Sequence, residues 1–281
     1  MPSRQHLKRN LKKYLFSVPL RIAVVMVMII VISVIGYIII NGVKNLSFNL
    51  LFGAYSSENP SLLAPTGVTL ILVFLVSLIT FPLGVAAAVY QREFAKPNSL
   101  FVKISSTAVE LLAGFPSIIF GLFGSLFFGQ MLGFGYSLIS GVLTMAVMNL
   151  PVIIRVTEES IMAVDNDYRL GSLAMGASRW YTVRKIILPS AKNGIMAGFL
   201  LSIGRVVGET APLILTLGTA TNFPTSLLDS GRNLSLQMYV LSRDGGEKGL
   251  KVAFASAFLL IVIALSINLL ASLVMKKSNV K

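Results

Sequence analysis

The 281-residue sequence contains no cysteine and a single histidine, His6. Disulfides, thiolate metal sites and cysteine nucleophiles are therefore excluded, as are histidine-based metal clusters and a Ser-His-Asp triad. His6 reads as a solvated residue of a basic tail. No Gly-x-x-x-x-Gly-Lys-Ser/Thr string occurs, so the chain has no P-loop for a nucleotide. Charge is also scarce. Only 12% of residues are charged, about half the share of a soluble domain, while 55% are hydrophobic and mean hydropathy is +0.81. A bilayer is the solvent such a chain fits. Acidic residues are the scarcest charges, 11 against 24 basic, which leaves a net charge of +13.

What is present begins with long apolar runs. A helix needs about 20 mostly apolar residues to cross the hydrocarbon. The run 22–40 qualifies and is longer than the core of a signal peptide. Five further segments qualify, near 66–90, 108–130, 134–156, 194–217 and 251–275. Six spans return both termini to one side. With the N-terminus inside, eighteen of the 24 basic residues fall on inner segments and five on outer ones, with Arg205 inside a span. That bias places both termini in the cytoplasm. It also accounts for the basic balance without nucleic acid. Residues 1–21 read as a basic cytoplasmic tail and 22–281 as one membrane domain with its core at about 65–275. The outer segment 218–250, rich in glycine, reads as loop with short ordered pieces. Pro82, Pro116 and Pro151 read as helix bends. Glu110 reads as an interfacial hydrogen bond or ion pair.

The inner segment of about 157–193 is polar but helical in pattern. Asp165, Asn166 and Asp167 supply N-cap chemistry, Gly176 can end that helix, and Ser178 can cap a second one that Pro189 closes. Leu170, Leu173 and Ala174 share one face, as do Val183, Ile186 and Ile187. Periodicity leaves two readings open, an interfacial helix lying on the membrane and a docking element for a cytoplasmic partner. Tyr168 and Trp180 suit either.

The segment resembles the loop of importer permeases of the ATP-binding-cassette (ABC) class. That pattern runs Glu-Ala-Ala, three residues, Gly, then about nine residues to Leu-Pro. Gly176-Ala177 and Leu188-Pro189 match it. Leu170-Gly171-Ser172 departs from it at the acidic position. The resemblance implies that residues 165–188 couple to an ATPase subunit, with Leu170, Leu173, Gly176, Ala177, Trp180 and Pro189 as the contact and bend positions.

The fifth span carries Gly204-Arg205-Val206-Val207-Gly208-Glu209-Thr210-Ala211-Pro212. A charge at membrane depth costs at least ~2.5–3.5 kcal/mol on insertion scales. Arg205 and Glu209 stand at i and i+4, so they can pair on one helix face. One reading is a self-neutralised pair that fixes packing. The other is an oxyanion pathway, since arginine offers a planar fork of donors to phosphate oxygens. Gly204 and Gly208 would let another backbone come close.

The Arg-x-x-Gly-Glu-Thr-Ala-Pro string is similar to the permeases of the phosphate-specific transport system. Thr157-Glu158-Glu159, Pro116-Ser117-Ile118, Gly121-Leu122-Phe123, Pro82-Leu83-Gly84 and Ser235-Leu236-Gln237-Met238-Tyr239 extend the match. The continuation after Glu209 looks more like the "A" than the "C" permease of that system. Sulfate and molybdate permeases carry similar strings and stand as the alternative. The resemblance implies an all-α, six-helix type I ABC importer permease with a cytoplasmic coupling helix, in the inner membrane of a prokaryote. Arg205, Gly208, Glu209 and Thr210 would line the substrate pathway. The chain itself would be non-catalytic and bind no cofactor. ATP and Mg would sit on a partner ATPase dimer. A paired permease, an extracytoplasmic phosphate-binding protein, inorganic phosphate and the lipid bilayer complete the expected partners. An intramembrane enzyme lacks the groups it would need, and a channel or secondary transporter would not use the coupling loop.

Overall fold

The computed structural model describes residues 4–56, 59–96 and 99–278, with the side chains of 18–56, 59–96, 99–270, 272 and 273; His6 and the basic side chains of residues 4–13 lie outside the described side chains. The described residues form helices and connecting turns. In chain order these are α1 (Arg4–Lys44), α2 (Phe48–Phe52), α3 (Leu63–Val89), α4 (Leu100–Gly114), α5 (Ser117–Gly124), α6 (Leu138–Met162), α7 (Asn166–Ala174), α8 (Arg179–Thr182), α9 (Leu188–Gly208), α10 (Ala211–Thr216), α11 (Leu234–Asp244) and α12 (Gly246–Ser278). Wider π turns extend α3 through Tyr90–Phe94 and α5 through Ser125–Met131, and join α8 to α9 through Val183–Ile187.

Five helical stretches are long and apolar enough to span: Val18–Lys44, Leu63–Phe94, Leu138–Met162, Arg179–Gly208 and Gly246–Leu270. The sixth expected span, 108–130, is not one helix. It is the pair Leu100–Gly114 and Ser117–Met131, bent by 106°. Pro116 explains the break. It cannot donate to the helix ladder, and it pushes Phe115 into extended backbone (φ −73°, ψ 139°). Ser99 caps the first half by accepting from Val102 N. Pro82 and Pro151 lie inside continuous helices.

The basic segment read as a tail over 1–21 is helical from Arg4 and continuous with the first span. Two further expectations are corrected. Pro189 does not close a helix. Arg179–Gly208 runs through it, and the π turn just upstream leaves room for its ring. The fifth span, expected over 194–217, ends at Gly208 and restarts at Ala211.

The core lies between α3, α6, α9 and α10, where Val68, Leu72, Met145, Met148, Val206 and Leu213 are buried together. Lipid chains are as apolar as leucine, so close packing rather than dehydration joins the helices. Small residues permit it: Gly84 sits against Ile153, and Gly198 against Val156. A second cluster, at the end of the bundle that carries α7 and α8, joins Val89, Ile161, Val183 and Ile187. By contrast, α1 leaves nearly all its apolar surface exposed. It leans on α12 through Gly42 against Phe258 and a Tyr37–Phe254 edge contact at 5.4 Å.

Candidate functional site

The break in the fifth span builds the first part of the site. Pro212 has no N–H to carry the ladder from α9 into α10. Glu209 therefore leaves the helix with extended backbone (φ −73°, ψ 135°), and α10 begins anew with Ile214 N on Thr210 O at 3.1 Å. Arg205, in the last turn of α9, still meets Glu209. Its Nε donates to Glu209 Oε1 across 3.4 Å, and the side chains are 28% and 17% exposed. That long contact is the only hydrogen bond of the Arg205 side chain among the described residues. The terminal nitrogens of the fork are left for another acceptor. The structure thus brings Arg205 and Glu209 together as expected, with Glu209 just past the helix end. Among the described residues, a Cβ added at Gly204 or Gly208 would meet nothing within 4 Å, so both glycines leave open space beside the arginine.

The outer segment folds over this break. Asn233 Nδ2 and Ser235 Oγ both donate to the Glu209 carbonyl, at 3.3 and 2.6 Å. Leu234 N donates to Thr69 Oγ1 of α3 at 2.9 Å. Residues 232–237 are all buried, where loop-like structure was expected. The polar ones pair internally, which makes the burial affordable. Arg232 donates to Thr219 O at 3.0 Å and to Gln237 Oε1 at 2.8 Å. Burial pushes its guanidinium below the ordinary arginine range, against the opposing influence of Tyr55.

At the other end of the bundle, Asp165 caps α7 by accepting from Asp167 N. Gly176 follows α7 in the left-handed region (φ +83°), with its N–H on Leu173 O at 3.0 Å. Ser178 then caps α8. The expected contact residues Leu170, Leu173 and Trp180 are exposed, and Met175 joins them as the most exposed of the group. Ala177 is half-buried and Pro189 exposed. The face made by Val183 and Ile187 is turned into the core.

In the sequence Arg92 and Arg169 count only toward charge sidedness, Glu158 only toward a motif, and Glu93 toward neither. In the structure the four are the struts of this region. Arg92 Nη2 meets Glu158 Oε2 at 3.0 Å, with the Glu158 side chain only 4% exposed. Arg169 holds Glu93, and also the Val164 and Ile161 carbonyls at 2.9 and 2.8 Å. A weaker exposed set joins Arg155 to Glu159 and Glu110, so Glu110 makes the ion pair expected of it. The signal was a charge of each sign at the ends of two neighbouring spans. Among the described residues, no group of His, Asp or Glu is placed to hold a metal ion.

A bundle of apolar spans with one broken helix carrying an Arg–Glu pair, and an exposed helical turn on the basic side, defines a membrane permease. The comparisons with known proteins agree. Residues 80–279 match the family model described as "Binding-protein-dependent transport system inner membrane component", and the chain belongs to that family.

The chain is 40% identical over 198 residues to the probable ABC transporter permease protein YqgI of Bacillus subtilis, covering 68% of this chain and 66% of that protein. It is 32% identical over 207 residues to phosphate transport system permease protein PstA 1 of Mycobacterium tuberculosis, covering 73% and 67%. It is 32% identical over 200 residues to the probable phosphate transport system permease protein PstA of Methanocaldococcus jannaschii, covering 71% and 70%. The matched part spans about two thirds of the length of these relatives.

Among solved structures, the fold matches a bacterial alginate ABC transporter in complex with a pentasaccharide-bound periplasmic protein. The TM-score is 0.69 at 18% identity, covering 95% of this chain and 94% of that one. It also matches the inward-facing methionine ABC transporter MetNI, with TM-score 0.62 at 20% identity over 77% of this chain and 95% of that one. The fold is that of a type I ABC importer permease.

Proposed function

We propose that this chain is the "A"-type permease subunit of an ATP-driven phosphate importer. The observation that carries the reading is Arg205. Its guanidinium stands at a helix break with one long bond to Glu209, beside the open faces of Gly204 and Gly208. Arginine presents donors in a geometry suited to phosphate oxygens. Glu209 offsets the cost of the charge in the membrane when no anion is present. An arriving anion competes with Glu209 for the fork, so the site binds without holding permanently. The relatives named as phosphate permeases support this substrate.

The remaining parts follow from that assignment. A paired permease completes the pathway beside the open glycine faces. A phosphate-binding protein delivers the ion to the outer loops near 42–65 and 218–250. ATP and Mg are bound by a separate ATPase dimer, and this chain is non-catalytic. Closure of the dimer pushes Leu170, Leu173, Met175 and Trp180. The Arg169–Glu93 and Arg92–Glu158 struts pass that push to the inner ends of α3 and α6. The helices then reorient about Arg205, giving alternating access across a prokaryotic inner membrane, with both termini in the cytoplasm.

The test is ATP-dependent uptake of labelled phosphate into vesicles holding every partner subunit, with sulfate and molybdate as competitors. Phosphate-selective uptake that is lost in Arg205→Gln, with assembly intact, is the expected result. Uptake of another oxyanion would overturn the substrate and keep the class. No ATP-dependent uptake from an assembled complex would overturn the reading.

A further inference from the structure

The end of a helix leaves carbonyls without partners, and within hydrocarbon they must be met inside the protein. The Glu209 carbonyl falls between two ladders. Pro212 cannot extend α9, and the α10 ladder starts one residue later, at Thr210 O. The partners of Glu209 O come instead from positions 24 and 26 residues onward, Asn233 Nδ2 and Ser235 Oγ.

Both donors are themselves fixed. Asn233 Oδ1 accepts from Leu236 N at 3.0 Å as the cap of α11, and its Nδ2 also reaches Ser235 Oγ at 3.0 Å. Leu234 between them is pinned to Thr69 of α3. Arg232, one residue earlier, clasps Thr219 just beyond α10 and Gln237 in α11. A buried donor pair set in so stiff a frame fixes the direction in which the Glu209 side chain leaves the backbone.

We propose that Asn233 and Ser235 are positioning residues that hold the Glu209 turn so that its carboxylate meets Arg205, tying the outer segment to the ion pair of the pathway. This deepens the phosphate-permease reading and rests on it for its transport consequence. Neither residue touches the anion. Each acts through the backbone of Glu209. A displacement of the outer segment rotates the Glu209 turn, and the Arg205–Glu209 contact opens or closes with it. The outer face of the permease thereby controls how strongly Arg205 competes for an anion.

The test uses the complete complex in vesicles. Ser235→Ala removes one donor. Asn233→Asp removes the other and keeps the acceptor that caps α11. Hydrogen exchange is followed over the 205–217 peptide, with α7 as the internal reference, and ATP-driven phosphate uptake is measured in parallel. Each variant is expected to exchange several-fold faster over 205–217 with α7 unchanged. Uptake is expected to fall about fivefold, the size of one ordinary hydrogen bond. In a Glu209→Gln background, Ser235→Ala is expected to cause no further loss, because the carboxylate it positions is gone. Unchanged exchange over 205–217 would overturn the proposal. So would losses that multiply in the double variant, which would mean a general structural role. If the parent complex moves no phosphate, the functional reading falls, and the exchange measurement alone decides whether these two residues hold the turn.

Discussion

Arg169 and Glu93 lie 76 positions apart in sequence, yet Nε and Nη2 of the arginine both donate to Glu93 Oε1, at 3.0 and 2.9 Å. The pair joins the exposed helix α7 to the π turn that ends α3. The side chains are only 20% and 10% exposed, so the contact is more than a solvated surface pair. Removing one partner of a well-buried pair costs about 3 kcal/mol. Arg169→Gln is therefore expected to let ATP hydrolysis continue while uptake falls at least tenfold. The ratio of hydrolysis to uptake in reconstituted vesicles checks this, and an unchanged ratio would show that the strut carries no motion.

Gly121 faces the helix break from the other side. A Cβ on it would sit 2.7 Å from Pro212 Cα, which is backbone and cannot swing away. Gly121→Ala is expected to destabilise the assembled complex by about 1–3 kcal/mol through overpacking. A thermal unfolding scan of the complex reads the loss. Gly114, beside which a Cβ meets nothing within 4 Å, is the control that should tolerate alanine on steric grounds.

Gly176 tests the proposed coupling role of the turn between α7 and α8. Its φ of +83° suits glycine, and an alanine there pays about 1 kcal/mol or more for the left-handed region. No atom lies within 4 Å of the added Cβ, so the effect is conformational rather than steric. Gly176→Ala is expected to leave the membrane bundle folded and to weaken copurification of the ATPase. Full retention of the ATPase would show that the turn does not set the docking geometry.

Asp229 gives the outer segment a pH dependence. Its Oδ2 accepts from Ser226 N, Thr225 Oγ1 and Thr225 N at 2.8 to 2.9 Å, and these bonds hold its pKa below the ordinary aspartate value. A lowered folded-state pKa means that the stabilisation is fully present above the unfolded value, about 3.9. It is lost as pH falls through the lower folded value. Limited proteolysis within 218–233 is expected to be flat at neutral pH and to accelerate below about pH 4. In Asp229→Asn that acid step should disappear. A step that persists would belong to another group.

Much of this molecule is legible in its sequence. The long apolar runs locate the spans, because a hydropathy average reports on many residues at once. The Arg205–Glu209 pair is legible too, since four residues is the spacing of neighbours on a helix face. What the averages hide is where a span breaks. A hydropathy window over 194–217 is apolar on average, and the break at Glu209 depends on one missing N–H at Pro212. The bend at Pro116 is the same case.

The burial of Arg232–Gln237 is hidden for the opposite reason. Arg232, Asn233, Ser235 and Gln237 read as a polar loop. They are buried because each finds a specific partner that is distant in sequence, such as Thr219, Glu209 and Pro60. The Arg169–Glu93 strut is likewise a meeting of distant positions, which the sequence presents only as two inner-side charges.

The cap on Glu209 also has an order in time. A chain is made from its N-terminus, at about 5–20 residues per second. Glu209 is therefore joined to the chain before the side chains that will satisfy its carbonyl exist, with Asn233 following 24 residues later. Until that stretch has been synthesised and has folded back onto the break, the fifth span has a backbone group that cannot take its final partners. The last geometric detail of the span waits on the arrival of Asn233 and Ser235.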